Sequence, residues 1–211
     1  MLHQTTSMTE LNHWDALRKG QKEALEAIYQ EYVELLFQYG CKFSSDESLV
    51  KDCVQDLFIE LWKNHKGLGN TTSVKRYLLA SIRRKIIKVL NKNKKWLLSD
   101  RMEKIDFNLE LAKEDELIKE EVKQEHIQIV KEALEGLSKR QKEVIYLKYY
   151  ADLDYEEIGE IMNLNYQSLR NLVSRALKKM RETVGSLALL WLFDNFFTFF
   201  DYKNGLHGLL K

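Results

Sequence analysis

Between Asp154 and Glu182 the chain reads DYEEIGEIMNLNYQSLRNLVSRALKKMRE, a pattern that admits little besides two helices joined by a very short turn. Asp154 with Glu157 three residues on forms a capping box in its Asp variant, and Ile158 and Ile161 share one buried face. The first helix ends at Met162-Asn163-Leu164-Asn165, where Asn163 sits at the tight turn; Asn is among the few non-glycine residues that tolerate positive φ. Asn165 then caps a second helix with Leu169, Leu172, Val173, Ala176, Leu177 and Met180 on its inner side.

The outer side of that second helix is different in kind. Tyr166, Gln167, Ser168, Arg170, Asn171, Ser174, Arg175, Lys178 and Lys179 are residue types that reach base edges and phosphates from a helix in a major groove. The early turns are mainly polar and the late turns basic, the order that suits a recognition helix of a helix-turn-helix. An amphipathic hairpin with a merely solvated charged face is the competing reading of the same pattern.

The whole chain has no proline in 211 residues, 45% apolar and 31% charged residues, which places it among globular, strongly helical proteins and divides best into two small helical domains. A net charge of +1 says nothing about partners, but its distribution does. From Lys75 to Lys104 there are eleven Lys or Arg against two acids, and from Asp106 to Glu135 ten acids against four lysines. A basic block followed by an acidic one suits contact with one polyanion and one positively charged surface. Cys41 and Cys53 lie in apolar helical patterns with no partner at metal spacing and read as core thiols, and the histidines are scattered. No catalytic constellation, metal cluster or cofactor motif is found, so no enzyme activity, cofactor or small-molecule substrate is expected. The polar N-terminus lacks a signal-peptide core, which makes a reducing cytoplasm the expected compartment.

In chain order, a helix is expected from about Thr9 to Gly20 through Leu11, Trp14 and Leu17. A longer one follows with Leu25, Ile28, Tyr29, Tyr32, Leu35, Leu36 and Tyr39 on one stripe. Ser44 with Glu47 offers a further capping box for DESLVKDCVQDLFIELWKN, whose buried stripe is Leu49, Val50, Cys53, Val54, Leu57, Phe58, Leu61 and Trp62. A loop from His65 to Thr72 leads to SVKRYLLASIRRKIIKVLNKNKK, with Tyr77, Leu78, Ile82, Ile86, Val89 and Leu90 inside. Outside lie Lys75, Arg76, Arg83, Arg84, Lys85, Lys88 and Lys92, a dense basic stripe. Four such helices over 9–95 make a bundle that can bury its own core. The second domain, 126–183, opens with Ile127, Val130, Leu134 and Leu137; Ser138 with Gln141 then caps KRQKEVIYLKYYADL, whose apolar side is Val144, Ile145, Leu147 and Tyr149.

This order of features resembles the extracytoplasmic-function group of bacterial RNA polymerase sigma factors over roughly 11–183. DCVQDLFIELW looks like the polymerase-binding helix of that family, D-x-V-Q-[ED]-x-F-x-x-x-W, matched at Asp52, Val54, Gln55, Asp56, Phe58 and Trp62. RYLLASIRRKIIKVLNK is similar to its segment that recognises and melts the minus-ten element, with Tyr77 where Trp is common. Arg83-Arg84 and Lys88 stand where many members carry Arg-Asn and then Asp, a more basic face suited to phosphates. LSKRQKEVIYLKYYADLDYEEIGEIMNLNYQSLRNLVSRALKKMRE resembles the minus-thirty-five-binding domain.

The resemblance implies an all-α protein that binds core RNA polymerase through Asp52, Gln55, Asp56 and Glu60. It implies promoter DNA as the second partner, held at the minus-ten element by Lys75, Arg76, Tyr77, Arg83, Arg84 and Lys88. Asn70 and Thr71 occupy the loop where family members capture a flipped base. The minus-thirty-five element falls to the outer side of the second helix of the helix-turn-helix. A membrane-anchored anti-sigma factor becomes a candidate regulator. Residues 96–125, with the acidic run AKEDELIKEE, read as a partly helical linker. The apolar extension 184–211 runs about 25 Å as a helix up to Phe200, short of a membrane span, and is expected to pack on one of the protein's own domains or to dock a regulator. Two other classes stay open: a conventional helix-turn-helix regulator acting without polymerase, which leaves DCVQDLFIELW unexplained, and a protein whose helical domains only bind partners.

Overall fold

The computed structural model describes residues 11–94, 107–109, 129 and 131–185, and among them every regular element is helical. The chain forms two compact units, one built mainly from residues 1–106 and the other mainly from 107–211.

In the first unit, α1 (11–18) is followed by α2 (Lys22–Cys41), α3 (Glu47–Lys63) and α4 (Val74–Lys94). Trp14 and Leu17 of α1 are buried, and the chain leaves α1 through Gly20 at φ +84. In α2 Ile28, Tyr32, Leu36 and Tyr39 are buried as expected, while Leu25 and Leu35 are half-buried and Ala24 is buried in addition. Ala24 takes the inward place assigned to Leu25, and Tyr29 is 39% exposed. At Gly40 a Cβ would lie 2.5 Å from Val50 Cγ1 and 2.9 Å from Ile86 Cδ1, so α2, α3 and α4 converge on a position with room only for hydrogen.

The entry to α3 differs from the expected capping box. The helix starts at Glu47, and the cap is Asp46, whose carboxylate accepts from the Leu49 N–H at 3.0 Å. Ser44 Oγ instead accepts from the Asp46 N–H at 3.2 Å. An ionised carboxylate one residue before the helix is a stronger acceptor than a hydroxyl three residues away, and its charge suits the helix N-terminus. Val50, Cys53, Val54, Leu57, Phe58 and Leu61 are buried as expected. In α4 the core positions are Val74, Leu78, Leu79, Ile82 and Ile86, with Val89 and Leu90 half-buried.

The second unit contains α5 (131–135), α6 (Lys139–Ile145), a π-helical turn Tyr146–Tyr150, α7 (Tyr155–Met162) and α8 (Tyr166–Val184). Both capping boxes read from the sequence are present, at Ser138 with Gln141 and at Asp154 with Glu157. The expected long helix from Lys139 is shorter, because its second half widens into the π turn. That extra residue per turn rephases the chain, which allows Val144, Ile145, Tyr146 and Leu147 to be buried in succession. Lys148 Nζ donates to the Leu153 carbonyl at 3.0 Å and ties down the segment after the turn.

Phe107 and Leu109 fall inside the stretch read as a partly helical linker, yet both are buried, and Phe107 meets the Tyr146 ring edge-on at 5.9 Å. Residues 96–106 and 110–125, Ile127 and Val130, and the apolar extension beyond Gly185 lie outside the described residues. Among the described residues, no helix is long and apolar enough to cross a membrane.

Candidate nucleic-acid interface and partner face

The geometry of α8 is set by the turn before it. Asn163 is left-handed at φ 52, ψ 55, and both its N–H and that of Leu164, at 2.8 Å for the latter, point to the Gly159 carbonyl. A Cβ on Gly159 would lie 2.9 Å from the Leu164 carbonyl oxygen, a backbone atom that cannot step aside. Asn165 Oδ1 accepts from the Ser168 N–H at 2.8 Å and starts α8. Leu169, Val173, Ala176 and Met180 are buried, and this leaves Tyr166, Gln167, Ser168, Arg170, Asn171, Ser174, Arg175, Lys178 and Lys179 all exposed. Gln167 Nε2 donates to Asn171 Oδ1 at 3.3 Å, Arg170 sits 5.9 Å from the Tyr166 ring centre, and Lys178 pairs with Glu182 at 3.8 Å. Ser168 and Arg175 line a shallow cleft of about 270 Å³ together with Arg140 of α6. Arg140 was not among the residues singled out from the sequence; its signal was a basic residue in the first turn after the Ser138 cap.

In the first unit the loop between α3 and α4 is held by α1. Trp14 Nε1 donates to the Gly69 carbonyl at 3.0 Å, Arg18 Nε donates to the Leu68 carbonyl at 2.9 Å, and the Arg18 guanidinium also donates to Asn70 Oδ1. Arginine has no acceptor, so the Asn70 amide oxygen must face Arg18 and its NH₂ group is turned the other way, on an exposed residue. Thr71 is committed within the loop: its hydroxyl donates to the Ser73 carbonyl at 2.9 Å and accepts from the Ser73 N–H at 3.2 Å and from Arg76 Nη2 at 3.3 Å. That hydroxyl has no capacity left for a base edge.

Along α4, Tyr77, Arg84 and Lys88 line a cleft of about 330 Å³ with Asn64 and Ser81, two residues that sequence reasoning passed over. Tyr77 is half-buried and packs on Trp14, ring centres 4.8 Å apart. Arg84 Nη2 donates to Ser81 Oγ at 3.2 Å, and Lys88 is exposed. Lys75, Arg76 and Arg83 are half-buried, so they present less of their length to solvent than a simple outer stripe would. Lys85 departs furthest from that stripe. Its side chain is 15% exposed, and its ammonium sits 2.7 Å from Glu60 Oε1 and 3.9 Å from Asp56 Oδ2.

Asp52, Gln55, Asp56 and Glu60 are all exposed on α3, opposite the buried Cys53, Val54, Leu57 and Leu61. Their spacing puts them on one side of the helix. Burial pushes the Cys53 thiol above its ordinary value; Lys85 pulls it back, while Asp56 and Asp52 add to the rise. At the far end of α3, Trp62 stacks on His65 with ring centres 5.2 Å apart, and His65 Nδ1 lies 2.7 Å from the Trp62 carbonyl.

Residues 28–95 match the family described as Sigma-70 region 2, and residues 127–180 match Sigma-70, region 4. The chain is 31% identical over 152 residues to the RNA polymerase sigma factor SigV of Bacillus subtilis, covering 72% of this chain and 83% of SigV. It is 24% identical over 166 residues to the ECF RNA polymerase sigma factor SigM of the same organism, covering 74% of this chain and 93% of SigM. Its fold is similar to that of CnrH, solved in complex with the cytosolic domain of CnrY, with TM-score 0.55, 16% identity, and coverage of 82% of this chain and 95% of CnrH. It is also similar to the sigma factor RpoE of Bartonella quintana, solved with the anti-sigma factor NepR, with TM-score 0.53, 22% identity, and coverage of 75% and 96%.

Proposed function

This chain belongs to the extracytoplasmic-function group of sigma-70 RNA polymerase sigma factors, and from that premise we propose how its surfaces divide the work of initiation. It binds core RNA polymerase and directs promoter-specific transcription initiation, and it is not an enzyme. In our reading Asp52, Gln55, Asp56 and Glu60 of α3 form the polymerase face. The supporting observation is that a helix whose other side is buried turns all four outward, an acidic face suited to a basic partner surface.

The minus-ten element is assigned to the loop and the α4 cleft. Tyr77 offers the uncovered part of its ring face for base stacking, Arg84 and Lys88 offer cations to the phosphates, and Arg76 acts by bracing Thr71. Lys75 and Arg83 flank this track. Asn70, with its oxygen taken by Arg18, presents donors to an acceptor on an unpaired base. The minus-thirty-five element is assigned to α8. Gln167, Ser168, Arg170 and Asn171 near its start face bases, and Ser174, Arg175, Lys178 and Lys179 further along face phosphates.

The working domains on this account are 9–95 and 126–183, joined by 96–125, in a protein acting in the cytoplasm. An anti-sigma factor as regulator is supported by fold similarity to a sigma factor solved with one. The extension 184–211 is a candidate for docking it or for packing on a domain.

The division of labour is tested by footprinting reconstituted holoenzyme on a responsive promoter. Changing Arg170 and Arg175 to Ala is expected to abolish upstream protection. Changing Arg84 and Lys88 to Ala is expected to leave upstream protection in place and to abolish permanganate reactivity of melted thymines. The opposite assignment of effects would reject this division.

A further inference from the structure

The polar face of α3 contains one residue that neither the core nor the acidic pattern explains. Ile59 is 46% exposed, the most exposed large aliphatic side chain among the described residues. Its neighbours in sequence, Leu57, Phe58 and Leu61, are buried in the bundle; Ile59 is turned from them onto the outer side. Asp52, Gln55, Asp56 and Ile59 follow the i, i+3, i+4, i+7 spacing that places four side chains on one helical stripe. Two of the three polar members are acids.

Interfaces are organised with an apolar anchor at the centre and polar groups around it, and the anchor carries a disproportionate share of the affinity. Glu60 stands at the edge of this arrangement, since it is held at 2.7 Å by Lys85 from α4. Asp52, Gln55 and Asp56 remain around Ile59 as the rim. A β-branched residue is stiff at χ1 and loses little conformational freedom on being covered. Burying its exposed half removes apolar surface from water without leaving a polar group unpaired.

We propose that Ile59 is the apolar anchor of the polymerase face, inserting into an apolar depression on the basic helical surface that Asp52, Gln55 and Asp56 contact. This rests on the assignment of α3 to core polymerase. It adds a residue whose contribution is to the dissociation rate, whereas the surrounding acids steer encounter.

The test measures equilibrium binding of full-length protein to core RNA polymerase by fluorescence titration, at low and at high salt, for Ile59→Ala, Ile59→Leu and the triple variant Asp52→Ala, Gln55→Ala, Asp56→Ala. Circular dichroism reports the folded fraction at the same temperature. Ile59→Ala is expected to weaken binding by about tenfold or more at both salt concentrations, with Ile59→Leu within about threefold of wild type. Wild-type affinity for Ile59→Ala would overturn the anchor, as would a loss of binding that follows a loss of folded fraction. If the triple variant weakens binding while Ile59→Ala does not, the polymerase face stands and only the anchor falls. If the triple variant binds like wild type, the assignment of α3 itself falls.

Discussion

Lys85 Nζ lies 2.7 Å from Glu60 Oε1, so a cation from the helix assigned to DNA is spent on the helix assigned to polymerase. Its side chain is 15% exposed and Glu60's is 60% exposed, a pair at the boundary between core and solvent. The bridge joins α3 and α4 along the seam between the two proposed surfaces and fixes which of their charges point outward.

The worth of this pair is expected to be small. A half-exposed bridge contributes about 0.5 to 1 kcal/mol after screening. A double-mutant cycle of Lys85→Met and Glu60→Gln, read by urea unfolding, is expected to give a coupling in that range that declines in high salt. A coupling above about 3 kcal/mol would mean that the pair is a buried one.

Gly40 supplies a sharper test of the packing. Gly40→Ala places a methyl 2.5 Å from Val50 Cγ1 and 2.9 Å from Ile86 Cδ1. Overpacking of this kind costs about 1 to 3 kcal/mol. Adding Val50→Ala to the same chain is expected to recover part of the loss, because the nearer clash is with that side chain. Gly40→Ala with unchanged stability would contradict the convergence of α2, α3 and α4.

In the helix-turn-helix, Gly159→Ala and Asn163→Gly should differ sharply in effect. The Gly159 methyl would meet the Leu164 carbonyl at 2.9 Å and spread the turn, so upstream promoter binding by holoenzyme is expected to fall by about tenfold or more. Asn163 already adopts φ 52, a conformation glycine enters without steric cost, and its replacement is expected to keep binding within about twofold. Gel-shift titration of holoenzyme compares the two; equal effects would deny the turn its role in placing α8.

Much of this was legible in the sequence, for identifiable reasons. The capping boxes at Ser138 and Asp154, the left-handed Asn163 and the exposed face of α8 depend on local chemistry, and each was read from residues within one or two turns. Most of the failures involve distant partners, and Thr71 is taken by near ones. Lys85 looked like any other member of the basic stripe until Glu60 and Asp56 were placed beside it. Thr71 looked available until its hydroxyl was found bonded to Ser73 and Arg76. Phe107 looked like linker because nothing local says that Tyr146 awaits it, and the π turn that presents Tyr146 has no helical period to detect. Arg18 and Trp14 read only as helix residues, although together they hold the loop carrying Asn70.

The buried Cys53 thiol gives a pH prediction. Burial raises its pKa above the ordinary 9.0, so the folded state holds the proton more tightly than the unfolded one. Its contribution to stability is therefore complete below the unfolded thiol value and is lost as pH rises through the folded one. In a Cys41→Ser background, where Cys53 is the remaining thiol, alkylation by iodoacetamide against pH is expected to inflect above 9.0 in the native protein and at the ordinary value in urea. An inflection at or below 9.0 in the native protein would contradict burial of this face of α3.

The most direct test of the account is run-off transcription with purified core polymerase on a pool of upstream genomic fragments, with and without this protein. Start sites that require the protein are expected, and they should vanish when Asp52, Gln55 and Asp56 are changed to Ala together, while the folded fraction stays at the wild-type level. Start sites that survive that triple substitution, or sequence-specific duplex binding by the protein alone with no effect on core polymerase, would contradict it.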